Sequence, residues 1–199
     1  MIIALFLVYS LAILGCGGDM GDLPCLGCEE PEPGSPSLVS YGGKKYKTVK
    51  IGNQTWFAEN LNYAGTDNSM GKCYDNEPAN CDTYGRLYDW ETAMNVCPDG
   101  WHLPSNDDWD ELFRYVDDLK ATSGWNDNGM DSHGFSALPG GFGLPNGYFG
   151  SAGNDGYWWS ATAGTNDASL CYIYYDEDSA GWGQRGKGDL FSVRCLKHP

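Results

Sequence analysis

Cys97-Pro-Asp-Gly-Trp-His-Leu-Pro-Ser-Asn-Asp-Asp-Trp-Asp-Glu-Leu112 sets a cysteine, two prolines, a glycine and a serine directly ahead of a helical pattern. Ser105-x-x-Asp108 is a capping-box pair: the serine oxygen accepts from a free backbone N–H, and the aspartate accepts from the serine's own amide. Asp107, Asp108, Asp110 and Glu111 fall in the first turns, where the helix dipole favours negative charge. Trp109, Leu112, Phe113, Val116 and Leu119 make one apolar stripe. Upstream, Leu87, Trp90, Met94 and Cys97 share helical spacing, which predicts a helix over 86–97 stopped by Pro98-Asp99-Gly100. The punctuation therefore sets the angle between two successive helices, with Trp101 and Leu103 between them. His102 has no nucleophile beside it and reads as a structural or partly exposed residue rather than a base.

Strand patterns lie on both sides. Lys45–Ile51 and Gln54–Leu61 read as strands joined at Gly52-Asn53. Residues 62–82 read as a polar loop that Cys73 and Cys81 clip as a short disulfide. Beyond Ser123 the chain is rich in glycine and asparagine up to Gly150, and such long irregular stretches are functional or packed by their own aromatics. Three more strands are expected at Gly156–Thr162, Ser169–Tyr175 and Leu190–Leu196. The last two flank the loop Asp176–Asp189 and should pair antiparallel. The fold class is α+β.

Eight Trp, thirteen Tyr, seven Phe and 28 Gly among 199 residues suit a loop-rich fold held by large side chains. The net charge of −15 opposes a phosphate backbone, so nucleic acid is not an expected partner. Clustered carboxylates raise the alternative of calcium, with Asp176, Glu177 and Asp178 as the nearest group; solvated loop charge is the plainer reading.

Residues 2–14 form an uncharged apolar run, too short to span a bilayer but suited to a signal-peptide core, although no Lys or Arg precedes it. Ile13-Leu14-Gly15-Cys16 resembles a bacterial lipobox. Residues 1–15 are therefore expected to be a lipoprotein-type signal peptide, with Cys16 carrying a diacylglycerol anchor. Residues 16–40 carry too little apolar area to fold and read as a tether, in which Cys25-x-x-Cys28 suggests a local disulfide. The folded domain is placed at 41–199. Export to a bacterial outer membrane or cell surface, lipid-anchored, is the expected location, and it suits disulfides.

Trp90-Glu-Thr-Ala-Met-Asn-Val-Cys97, then Gly100-Trp-His-Leu103, then a serine-capped helix resembles the signature of the C-type lectin-like fold. A closer resemblance is to the Fibrobacter succinogenes major paralogous domain family. It rests on Val49–Leu61 (VKIGNQTWFAENL), Gly85–Trp90, Cys97–Ser105, Tyr157–Thr162 and Ser192-Val-Arg-Cys195, in that order. Members are typically secreted or lipid-anchored surface proteins, and no biochemical activity defines the family. The sequence also resembles the sulfatase-modifying branch of the lectin-like fold. The resemblance implies two helices packed on a small twisted antiparallel sheet with long loops. It also implies a Cys97–Cys195 disulfide, a closure that contributes about 2–5 kcal/mol.

The function expected from this is a non-catalytic binding or adhesion module with glycan as the default ligand. Trp125, Asn126, Asn128, Tyr148 and Asn154 in the middle loops would supply aromatic faces and amides. The alternative is a structural or protein-binding surface protein with an envelope protein as partner. Calcium-dependent lectin motifs have only carboxylate-poor counterparts here, at Leu144-Pro-Asn146 and Trp159-Ser-Ala161. An enzyme of the formylglycine-generating type would need a reactive cysteine pair near the C-terminus, where only Cys171 and Cys195 stand. No Gly-x-Ser-x-Gly, His-Glu-x-x-His or phosphate-loop pattern occurs.

Overall fold

The computed structural model describes residues 37–114, 119–177 and 180–198. The expected signal peptide, the anchor residue Cys16, the Cys25/Cys28 pair, Val116 and Asp178 lie outside them. The described chain is mixed α+β, mostly short strands, with three α-helices and two curled five-stranded sheets.

Strands β1 (Leu38–Tyr41), β2 (Lys44–Ile51) and β3 (Gln54–Phe57) form an antiparallel meander. The β2–β3 turn falls at Gly52-Asn53 as the sequence predicts, with Gly52 at φ +57°, a backbone state that glycine enters at no steric cost. The expected second strand ends at Phe57 instead of Leu61. The Ala58 amide still bonds Lys47 O of β2, beyond it the chain leaves the ladder, and the amides of Phe57 and Leu61 bond the carbonyls of Cys195 and Val193.

Residues 62–82 are only partly loop. A helix α1 (Pro78–Tyr84) forms there, with Pro78 in its first turn where the missing N–H costs nothing, and the Cys73–Cys81 disulfide clips it to the preceding segment. Gly85 ends α1 at φ +78°, and a Cβ there would lie 2.8 Å from that of Asn60, so only glycine permits this close approach.

The helix expected over 86–97 shrinks to α2 (Trp90–Ala93). Leu87–Tyr88 is instead strand β4, and Asp89 caps α2 by accepting from the Thr92 amide at 2.9 Å and its hydroxyl at 2.8 Å. A capping aspartate marks the start of a helix and therefore excludes the residues before it. β5 (Trp101–His102) follows, then α3 (Asn106–Phe113), whose Ser105–Asp108 capping box is present in both directions. Trp109 and Leu112 of the apolar stripe are buried in α3, and Leu119 is buried beyond its end.

β6 (Phe142–Gly143) and β7 (Phe149–Gly150) make a small hairpin. β8 (Gly156–Ala163) and β9 (Asp167–Ile173) match the expected strands and pair antiparallel. The supposed loop Asp176–Asp189 holds a further strand, β10 (Gly181–Gly186), which pairs with β9 in the place expected for the C-terminal segment. Its glycines disfavour a strand by propensity, yet they leave room for neighbouring side chains. A Cβ on Gly181 would stand 2.5 Å from the Tyr172 ring, which crosses that position. The expected strand Leu190–Leu196 is two strands in different sheets. β11 (Phe191–Ser192) runs beside β8 and β4, while β12 (Leu196–Lys197) pairs with β3 and β5. Val193-Arg-Cys195 crosses between the sheets, and the orders are β1-β2-β3-β12-β5 and β10-β9-β8-β11-β4.

Candidate functional site

The crossing segment carries a buried cation. Arg194 is fully buried and donates to the carbonyls of Phe57 at 3.1 Å, Phe135 at 2.5 Å and Ser136 at 3.0 Å, and twice to Asn60 Oδ1, at 3.2 and 2.9 Å. Its guanidinium also lies 4.5 Å from the Phe135 ring centroid. Asn60 Oδ1 takes a third bond from Trp158 Nε1 at 2.8 Å, and its amide nitrogen donates to Tyr84 O at 2.9 Å. Burial pulls the guanidinium below its ordinary value, while Asp131 and Glu59 oppose that shift. The carbonyls it binds are presented by a loop in which Asp131 and Ser136 both adopt positive φ, and the Asp131 carboxylate accepts from Ser136 N and Oγ. Asn60, Trp158 and Arg194 thus serve the interior and offer nothing to a ligand.

The cysteines are likewise assigned. Cys73 is bonded to Cys81, as the sequence predicts, and Cys97 to Cys195, as the family resemblance implies. Cys171 is a buried free thiol, and burial pushes its pKa far above the ordinary range. No thiol pair is therefore available at Cys171 and Cys195.

The five loop residues proposed as a ligand surface separate. Trp125 is a core residue, only 5% exposed, with its indole N–H donated to Ala137 O at 2.8 Å, so it has no face for a sugar. The apolar body of Trp outweighs its loop setting once a carbonyl satisfies the indole. Asn128 is turned to the local backbone and accepts from Trp125 N at 3.0 Å. Asn126 donates to Asn154 Oδ1, so those two amides hold each other. Tyr148 alone is a large exposed aromatic, at 57%. Asp176 and Glu177 are exposed, and among the described residues no three His, Cys, Asp or Glu side chains converge as metal ligands.

Tyr148 borders a concave site that the sequence reading missed. A cavity of about 200 Å³ is lined by Phe142, Leu144, Tyr157, Arg185, Asp189 and Phe191. The β6–β7 hairpin supplies Phe142, β8 supplies Tyr157, the edge strand β10 supplies Arg185, and the turn after it supplies Asp189. The rings form a continuous wall: Tyr148 to Phe142 at 6.1 Å, Phe142 to Tyr157 at 5.8 Å and edge-on, and Tyr157 to Phe191 at 5.7 Å. Tyr157 donates its hydroxyl to Asp155 at 3.1 Å, and burial, then Asp155, raises its pKa.

The polar side of the pocket is built differently. Burial raises the Asp189 carboxyl above the usual range, and Arg185 pulls it back. Among the described residues the two form no ion pair, and neither side chain makes a hydrogen bond. Their turn is nevertheless fixed. Trp90 N donates to Lys187 O at 2.9 Å, and the Lys187 ammonium lies 4.3 Å over the Trp90 ring. The available signal was Gly183-Gln-Arg-Gly-Lys-Gly-Asp189, charges spaced by glycines between aromatic strands.

A second concavity, about 260 Å³, lies where β12 meets β5 and is lined in part by Gln54, His102, Asp108, Lys197 and His198. His102 stacks on His198 at 4.5 Å and stands 3.7 Å from the Asp108 carboxylate. Its pKa is lowered by burial and His198 and supported by Asp108. Asp108 already serves the helix cap and Gln54 donates to Asp108 O, so this cleft is mostly architecture.

The chain belongs to the Fibrobacter succinogenes major domain family, whose model matches residues 49–197. No curated protein and no solved structure matches it.

Proposed function

We propose that this chain is an exported, lipid-anchored envelope protein whose C-type lectin-like domain is a non-catalytic binding module for glycan. The observation that carries the reading is the aromatic pocket with its uncommitted Arg185 and Asp189, next to exposed Tyr148. Ligand sites combine apolar walls with a few convergent polar groups, and a sugar ring offers C–H faces to the former and hydroxyls to the latter. The lectin-like assignment is supported by the Cys97–Cys195 closure, and by strands from both ends of the domain meeting in one sheet where β12 pairs with β3.

A glycan array probed with the full-length protein, with and without calcium, tests this. The expected result is binding to a restricted set of glycans. A blank array together with specific capture of an envelope protein would replace glycan by a protein partner. The anchor is checked separately, by mass spectrometry of the protein from its native membrane, where Cys16 should carry the diacylglycerol.

A further inference from the structure

Resting on the glycan reading, we infer that the pocket takes a neutral pyranose end-on, with one sugar hydroxyl bridging the Arg185 guanidinium and the Asp189 carboxylate. The ring's C–H face then rests on one of the two aromatic rings, Tyr157 or Phe142, and its edge on the other, since these meet edge-on.

The polar pair selects the ligand's charge. Two opposite charges line one small cavity without joining, so each retains hydrogen-bonding capacity that the fold does not use. A hydroxyl both accepts and donates, and a single one therefore satisfies the cation and the anion together. A ligand carboxylate or sulfate would gain from Arg185 and be repelled by Asp189, within a chain of net charge −15. An ammonium meets the reverse. Partial burial has already stripped water from Asp189, which makes a donated hydrogen bond there worth more than at an open surface.

Size points the same way. The cavity of about 200 Å³ falls below the roughly 300–1,000 Å³ of pockets that engulf drug-sized ligands, so it suits one ring with the rest of the glycan outside. Tyr148, more than half exposed and packed against the Phe142 ring, would stack on the next unit. None of these groups requires a metal ion.

Isothermal titration calorimetry on the full-length chain in detergent tests the inference. The probes are neutral oligosaccharides of gluco, manno, galacto and xylo configuration and an oligogalacturonide, each in EDTA and in calcium. At least one neutral probe should bind in EDTA. Asp189→Ala and Arg185→Ala should each weaken it by about tenfold or more, the loss of one hydrogen bond to a charged group. Neither side chain makes a hydrogen bond or ion pair among the described residues, so both variants should keep the parent's melting temperature. Neutral binding unchanged within about twofold in both variants would put the ligand elsewhere and overturn the inference while sparing the glycan reading. Preference for the oligogalacturonide, or binding only in calcium, would also overturn it. If no probe binds at millimolar concentration, the glycan reading falls as well.

Discussion

Asn60→Ala would remove the centre of the buried network between the two sheets. The amide oxygen accepts from Trp158 Nε1, Arg194 Nε and Arg194 Nη2, and the amide nitrogen serves Tyr84 O. Alanine leaves the indole N–H and one guanidinium N–H with no partner, and Nη2 with Ser136 O alone. A buried neutral donor left unpaired costs about 1–3 kcal/mol, and breaking a buried charged network about 3–5 kcal/mol. Because these losses overlap at one cation, the larger figure is the total and not an addend. Against a domain stability of about 5–15 kcal/mol that is a large fraction, and for a chain of this size it corresponds to a fall of roughly 6–20 °C in Tm. Urea unfolding with disulfides intact should show a lower midpoint at unchanged slope. Asn60→Asp retains a carboxyl acceptor opposite Arg194 and should lose less. An Asn60→Ala protein within about 1 kcal/mol of the parent would refute the argument, since the guanidinium would then be satisfied by water.

Other outcomes follow from the same geometry. Loop-closure entropy predicts that removing Cys97–Cys195, with a sequence separation of 98, costs about 4.7 kcal/mol against about 2.6 for Cys73–Cys81, with a separation of 8; paired Cys→Ala variants ranked by urea midpoint check the order. Cys171 should resist iodoacetamide in the native protein and react only after unfolding, and rapid native labelling would contradict its burial. His102 is held below its ordinary value, so the unfolded chain binds the extra proton. Stability should therefore fall as pH drops through about 6.5 and go on falling until His102 titrates in the folded state; His102→Gln should flatten that part of the profile.

The parts legible in sequence were those set by neighbouring residues. Gly52-Asn53 names its turn and Ser105-x-x-Asp108 its cap, because each motif closes within a few residues. The Cys97–Cys195 staple came from family resemblance, not from spacing. The helical spacing of Leu87, Trp90, Met94 and Cys97 misled, since only Trp90 lies in α2 and the Asp89 cap that starts the helix closes on Thr92 just inside it. β10 was hidden because glycine reads as a breaker, and its value lies in what it lets Tyr172 occupy. The network at Asn60 was not legible at all, since Asn60 and Arg194 are 134 residues apart and an isolated asparagine near the end of an expected strand carries no sign of burial. The pocket fails for the same reason: its walls come from three separate segments, whereas Trp125, the most conspicuous loop aromatic, is spent on the core.

This division has a physical consequence for what the motifs mean. Asn60, Trp158, Arg194 and Cys195 all stand in the stretches that mark the family, and all are buried in one connected interior. No one of them can change without stranding a partner, so together they specify the framework. Trp90 extends that framework outward, bonding Ser160 O at 2.9 Å inside and carrying the Lys187 turn outside. Arg185, Asp189, Leu144 and Tyr148 lie between the motifs, and among the described residues the two charged side chains share no hydrogen bond or ion pair with the interior. Substitutions there should add independently of those at Asn60 or Arg194, leaving stability nearly unchanged while altering what binds. A chain built this way keeps its framework independent of the pocket residues, which is the arrangement the proposed binding role would need.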